Sequence, residues 1–340
     1  MTDALVLTGG AGWFGRAFLA QLAANPFPAA HLRVMVNAPG DVPVVAAAAP
    51  DAAIYVGDVR SGADVADLFD GLGSHVLVHA AGIIHPERVS DFFDVNAEGT
   101  RRVVRTAVDH GLTRMVHVSS NSPIGTNPGP DEAFRDVEPY DPYLGYGRSK
   151  MAGEIAVTET LAAAQVPGII VRPPWFYGPY QPDRQARFLK TVRQGKFPLV
   201  GSGGNRRSMV YVDNLADGVR LAAESQLPGV RSYWIADDRP HTMLEILDGV
   251  REAARLEGLE VVDSVRRLPN AAGNAAERVD RLLQQRGRYQ QEIHVAGELN
   301  KTIACRIDGA RRDLGYEPRV SLVEGMRRSY RWGLDNGQDV

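Results

Sequence analysis

A single cysteine, Cys305, stands among the 340 residues, so no internal disulfide can staple this chain. Histidine is sparse too: the eight residues show no ligand spacing such as His-Glu-x-x-His, and no metal is expected. Neither sign of charge dominates, since 38 Lys plus Arg stand against 41 Asp plus Glu, and a net charge of -3 gives no whole-molecule field for gripping nucleic acid. No apolar run reaches the roughly 18 to 20 residues of a membrane span. The opening Met-Thr-Asp-Ala leads straight into Leu5–Thr8, without the basic and apolar regions of a secretory signal. A cytoplasmic location is expected, with a small molecule as partner.

What is present is rhythm. Short Val/Ile/Leu-rich runs (Ala4–Leu7, Val34–Val36, Ile54–Val56, Val76–His79, Met115–Val118, Ile169–Val171) alternate with amphipathic stretches such as Gly15–Ala24 and Asn96–His110. This predicts an α/β fold with a doubly wound parallel sheet, whose ligands bind at the carboxyl ends of the strands. After Arg172 the alternation stops. A proline-rich loop, a helix at Arg184–Gln194, a glycine turn at Gly201–Gly204 and a strand at Ser208–Val212 follow. Beyond Thr242 come helices, a weak strand near Val261, a basic polar helix around Ala275–Arg286, read as solvated, and a last helix near Val323–Trp332. The expected division is a dinucleotide-binding domain over residues 1–172, to which the chain returns around 208–225, and a smaller α/β substrate lobe over 173–340.

Strand Leu5–Leu7 runs into Thr8-Gly9-Gly10-Ala11-Gly12-Trp13-Phe14-Gly15 and then a helix. Gly9 permits a tight turn, Gly12 a close approach of backbone N–H groups to a pyrophosphate, and Gly15 close packing of helix on strand, with the anion at the helix N-terminus. Trp13 and Phe14 share this loop and join the cofactor-binding candidates. Asp58-Val59 follows the third strand, where the carboxylate can accept from an adenine amino group or cap the next helix. At the end of the second strand, where an acid would hold the ribose 2′-OH of NAD, stands Asn37, with Arg33 close in sequence. NAD is the expected cofactor, with NADP left open by the neutral amide.

Tyr146 and Lys150 lie four residues apart, on one face of a predicted helix. A phenol titrates near 10, too high for a base at neutral pH, and a nearby cation favours the phenolate; Lys150 is expected to supply that charge and to hold cofactor ribose hydroxyls. Upstream, Met115–Val118 ends in Ser119-Ser120-Asn121-Ser122, which puts hydroxyls at the sheet's carboxyl edge. Ser120 can then hydrogen-bond a substrate oxygen while Tyr146 moves its proton.

Taken in order, the glycine loop, Asp58-Val59, His79-Ala80-Ala81-Gly82, Val95-Asn96-Ala97-Glu98-Gly99-Thr100, Ser119-Ser120, Tyr146/Lys150 and Arg172-Pro173-Pro174-Trp175-Phe176-Tyr177-Gly178-Pro179 resemble the extended short-chain dehydrogenase/reductases, the NAD-dependent epimerase/dehydratase group. The resemblance continues through Arg207–Asn214 and Leu314–Pro318. It implies a Ser120/Tyr146/Lys150 triad, a cofactor site that includes Ala80, Ala81, Gly82, Asn96, Ser119 and Pro173, and a homodimer through helices Asn96–His110 and Tyr146–Ala164. Asn96 can equally be a helix cap.

Many relatives of this kind work at C4 of a nucleotide sugar. The resemblance makes Arg207 a phosphate-gripping residue and Ser122 and Trp175 substrate neighbours. Two departures matter. Ser120 is followed by Asn121-Ser122 rather than the Asp-Glu of 4,6-dehydratases, and Trp175 replaces an asparagine that commonly contacts substrate. The expected activity is oxidation or epimerisation of a secondary alcohol of a nucleotide sugar. The alternative is a carbonyl reductase or alcohol dehydrogenase on an apolar substrate, resembling the 3β-hydroxysteroid dehydrogenases.

Overall fold

The structure is a computed structural model and describes residues 2–340. Its first half is built from β1 (Thr2–Thr8), α1 (Trp13–Ala24), β2 (Ala29–Val36), α2 (Val42–Ala48), β3 (Ala53–Val56), α3 (Gly62–Phe69), β4 (His75–His79), α4 (Val89–Phe93), α5 (Thr100–Asp109), β5 (Leu112–Val118), α6 (Leu144–Ala164) and β6 (Gly168–Arg172). The second half adds β7 (Trp175–Tyr177), α7 (Asp183–Arg193), β8 (Pro198–Val200), β9 (Arg206–Arg207), β10 (Met209–Tyr211), α8 (Val212–Glu224), β11 (Val230–Trp234), β12 (His241–Thr242), α9 (Met243–Leu256), β13 (Arg266–Leu268), α10 (Asn270–Gln285), α11 (Gln291–Glu298), α12 (Asp308–Leu314) and α13 (Leu322–Asp335).

Seven strands form one parallel sheet in the order β11-β6-β5-β4-β1-β2-β3. Alternation within each strand decides what lies on each face. Leu5 and Leu7 of β1 join Phe14 and Phe18 of α1 and Leu215 and Val219 of α8 in one core. Val6, one residue out of step, packs on the opposite face with Leu68 of α3, Val104 of α5 and Leu161 of α6. A sheet covered on both sides needs the near-continuous apolar strands that the sequence shows. A separate core, with Tyr177, Leu189, Met209, Ile246, Val250, Met326 and Tyr330, holds the second lobe together through α7, α9 and α13.

The six anticipated strands of the first half all form and all pair in parallel. Three details differ. The strand expected near Val261 lies further on, at β13, because it takes its register from β8 in a parallel pair, a partner fixed only by the tertiary fold. Of Ser208–Val212, only Met209–Tyr211 is strand, and Val212 already begins α8. The seventh strand, β11, escapes sequence reading because Val230-Arg231-Ser232 alternates weakly at the edge of the sheet, and it carries the chain back to that sheet as far as Trp234.

Candidate active site

The strand order reverses direction between β1 and β4, the switch point where doubly wound sheets bind ligands. A cleft of about 580 Å³ opens there, lined by Gly9, Gly12, Asn37, Asp58, Val59, Ala80, Ala81 and Gly82 among others. Gly9 takes φ +77, which favours glycine, and a Cβ on Gly15 would collide with the Gly9 carbonyl oxygen. Gly12 is different: its φ of -68 and ψ of 169 suit any residue, and a Cβ there would meet only that same oxygen, at 3.3 Å. A side chain at 12 would need that oxygen to give by only a few tenths of an ångström, far less than at Gly9 or Gly15. The first turn of α1 has no side-chain cap, so its N–H groups are left for an anion. Gly12→Val should therefore leave the melting temperature nearly unchanged yet weaken NAD binding about tenfold or more by calorimetry. An unaltered affinity would remove the loop from the cofactor site.

Trp13 and Phe14 face away from this cleft. The indole N–H of Trp13 donates to the Pro179 carbonyl (2.7 Å) and its ring packs on Phe176, while Phe14 is buried beside Phe18. Further along the cleft, Asp58 is engaged by Arg60, through Nη2 at 2.6 Å and the backbone N–H at 2.8 Å. Hydrogen bonding to Arg60 holds the Asp58 carboxyl below its ordinary value. Asp58 does not cap α3; Ser61 does, accepting from Asp64 N at 3.2 Å. Arg33 donates to the carbonyls of Leu68 and Asp70, so it does not reach Asn37. Two arginines that do line the cleft, Arg60 and Arg88, carry no pattern in the sequence that marks them.

Beneath the cleft, Thr8 Oγ1 accepts from Ala81 N (3.2 Å) and bonds His79 Nδ1 (2.7 Å), whose other nitrogen bonds Thr100 Oγ1 (2.9 Å). Burial pushes His79 down to about 3, so it stays neutral and serves this network. Asn96 is no helix cap. It sits within a π-helical turn, Asp94–Gly99, where its amide accepts from Ile83 N (2.9 Å) and donates to Ile83 O (2.9 Å) and Ser149 Oγ (3.2 Å). It thereby ties the loop after β4 to α6. π-turns recur at functional sites for such re-aiming of side chains.

At the carboxyl edge of β5, Ser120 is buried, with its Oγ 3.3 Å from Ser122 Oγ. Burial raises the Tyr146 phenol, and the Ser120 hydroxyl facing it acts in the lowering direction. Lys150 donates to the Val118 carbonyl at 3.0 Å, and burial lowers it to about 8. The charge of Arg184 in α7 also acts on the phenol in the lowering direction, from the second lobe. Ser119 does not face the cofactor cleft through its hydroxyl, which donates to Glu154 Oε1 (2.5 Å), and the Pro173 carbonyl accepts from Asn121 N (3.2 Å).

On the substrate side, Arg207 is buried, its Nη2 donating to the Glu298 carbonyl and its Nε unpartnered among the described residues. Arg184 makes no salt bridge among the described residues and lies 5.9 Å from the Trp13 ring. Trp175 packs on Phe188 (4.8 Å) and donates to Gln185 Oε1 (3.3 Å), so its indole is engaged within the second lobe. No local sequence pattern links Arg184 or Glu298 to Tyr146, although the charges of both act on its phenol.

The description "NAD dependent epimerase/dehydratase family" matches residues 5–236. An uncharacterized protein of Sinorhizobium fredii is 44% identical, over 98% of this chain and 96% of that one. A 2-alkyl-3-oxoalkanoate reductase of Stenotrophomonas maltophilia is 32% identical, over 70% of this chain and 73% of its own. Among solved structures, a dTDP-glucose 4,6-dehydratase of Streptomyces venezuelae with NAD bound superposes with a TM-score of 0.76 at 25% identity, covering 98% of this chain and 97% of that one. The chain belongs to the NAD-dependent epimerase/dehydratase family and is an enzyme of the extended short-chain dehydrogenase/reductase type.

Proposed function

We propose that this enzyme oxidises or epimerises a secondary alcohol at C4 of a nucleotide sugar, with Ser120, Tyr146 and Lys150 as its catalytic residues. The observation that carries this reading is a pair of arginines, Arg184 and Arg207, that make no carboxylate contact among the described residues, the charge of Arg184 acting on the Tyr146 phenol. Two largely buried guanidinium groups with no carboxylate in hydrogen-bonding contact among the described residues suit an anionic ligand, and a nucleoside diphosphate supplies one.

The residues fit the cofactor: glycines 9 and 12 leave room at the helix N-terminus for a pyrophosphate, and Asn37 and Ala80–Gly82 line the same cleft. NAD, when bound, takes up and returns a hydride at the substrate's carbinol carbon. Tyr146, as the phenolate that the neighbouring cations favour, accepts through Oη the proton of the substrate hydroxyl, Ser120 Oγ hydrogen-bonds the same oxygen, and Lys150 Nζ holds ribose hydroxyls. In this reading residues 1–172, with a return at 208–225, bind the cofactor, 173–340 bind the substrate, and α5 and α6 form a homodimer interface.

The second reading, a carbonyl reductase, is favoured by the 32% identity to the oxoalkanoate reductase over 70% of the chain. One experiment separates the two. Purified enzyme is given UDP-glucose, UDP-glucuronic acid or dTDP-glucose with NAD, and a 3-oxo acid or steroid ketone with NADH, while products and reduced cofactor are followed. Conversion of a sugar nucleotide is expected; turnover confined to the ketones would replace the first reading with the second.

A further inference from the structure

The catalytic helix α6 begins badly by its own means. Tyr143, at its N-cap position, offers no side-chain cap, and Leu144 takes φ +51, a left-handed conformation that is strained for a leucine. The free N–H of Gly145, the residue before Tyr146, donates instead to Gln284 Oε1 at 2.9 Å, from α10 in the other lobe. A Cβ at Gly145 would come within 2.8 Å of that oxygen, so glycine is what lets the amide approach.

The Gln284 amide is itself oriented. Its Nε2 donates to Asp280 Oδ1 (2.9 Å), and a carboxylate can only accept, so Oε1 must turn toward Gly145. Asp280 is fully buried, and its second oxygen bonds His294 Nδ1 at 2.7 Å. His294 Nε2 in turn lies 3.9 Å from Glu298 Oε1. The Glu298 carbonyl accepts from Arg207, and its carboxylate charge acts on the Tyr146 phenol. One chain of contacts thus runs from the backbone beside Tyr146 to the residue that holds Arg207.

We propose that Gln284, Asp280 and His294 are positioning residues: they cap the catalytic helix from the C-terminal lobe and so couple the placement of Tyr146 to the α10–α11 hairpin. This rests on the reading of Tyr146 as catalytic. The hairpin is also pinned to the cofactor domain by Tyr289 N donating to Glu87 O (3.2 Å) and Val89 N to Gly287 O (3.1 Å).

The coupling depends on pH. The groups facing His294 are Asp280 of α10, Glu298 of its own helix, Tyr143 ahead of α6, Tyr289 between α10 and α11, and His85 after β4. Burial acts to lower the imidazolium, but the hydrogen bond to Asp280 and the charges of Glu298 and Asp280 outweigh it and hold His294 above its ordinary value. A raised histidine stabilises fully below the unfolded value, and that contribution is lost as pH rises through the raised one, leaving Asp280 a buried anion without its counter-charge.

The test compares Gln284→Met, of similar length but unable to accept, with Gln284→Glu. In the Gln284→Glu variant a protonated carboxyl would keep both bonds, accepting from Gly145 and donating to Asp280; ionised, it would face Asp280 as a like charge. Amide hydrogen exchange of the peptide spanning Leu144–Gly147, corrected for intrinsic rate, is measured from about pH 5 to about pH 8, alongside turnover of the substrate found above. Gln284→Met should expose Gly145 about tenfold or more at every pH and lower kcat about tenfold, with KM and NAD affinity within about twofold. Gln284→Glu should match the wild type at the acid end and approach the methionine variant at the alkaline end, which simple loss of packing would not produce; at the acid end it also serves as the folded reference. Unchanged Gly145 protection in Gln284→Met, or a glutamate variant that follows the methionine one at every pH, overturns the relay. If Tyr146→Phe abolishes turnover while Gln284→Met does not, the relay falls and the catalytic reading stands. If Tyr146→Phe stays active, the catalytic reading falls and Gly145 exchange still decides whether the cap exists.

Discussion

Tyr146→Phe is expected to lower kcat by about 10² to 10⁴-fold while NAD affinity and the melting temperature stay near wild type. The change deletes one oxygen from a ring that keeps its packing on Phe92, with centroids 5.6 Å apart, so little else is disturbed. Ser120 would keep its contact with Ser122 and lose the phenol it faces. Lys150 adds a signature in pH: because burial lowers it to about 8, the ammonium loses its charge above that value, and wild-type turnover should decline there. Lys150→Arg, which stays charged, should move that decline upward. Near-normal kcat in Tyr146→Phe would remove the phenol from the chemistry.

Glu154→Ala should destabilise the fold by about 3 to 5 kcal/mol, read as a lowered urea midpoint. Glu154 lies one helical turn beyond Lys150 on α6 and is fully buried, with Arg172 Nη2 at 2.6 Å and Nε at 3.1 Å, Tyr140 OH at 3.0 Å and Ser119 Oγ at 2.5 Å. Its loss would strand the Arg172 guanidinium, itself only 5% exposed at the side chain, without its carboxylate. Desolvation of an unpaired charge exceeds what the pair contributes when whole. The double change Glu154→Leu with Arg172→Met should recover much of the loss, since it leaves no orphaned charge. A single alanine variant within about 1 kcal/mol of wild type would show that water or a rearranged partner satisfies Arg172. The ion pair also joins the end of β6 to α6, and through Ser119 the end of β5, so turnover should weaken together with stability.

Much of the fold was legible in the chain because its signals are local. Val/Ile/Leu runs of strand length separated by helical periods imply parallel strands buried on both faces, and the turn Gly9–Gly15 carries its meaning in seven consecutive residues. Tyr146 and Lys150 share a helix face by spacing alone, and Ser120 follows a strand that had to end at the sheet's carboxyl edge.

What the tertiary structure decided were partners distant in sequence. Arg33 lies close to Asn37 in sequence, but it is claimed by Leu68 and Asp70, while Arg60 lines the cleft with Asp58. Ser119 looked like a cofactor ligand until Glu154 engaged it, and Asn96 like a cap until it clamped Ile83 to Ser149. Gln284 meets Gly145 across 139 residues of chain, and Arg184 reaches the field of Tyr146 from another lobe. Periodicity and spacing are set by backbone geometry over a few residues, and so they survive in the sequence. Which charge faces which phenol depends on how two lobes dock, and only the packed structure brings those groups together.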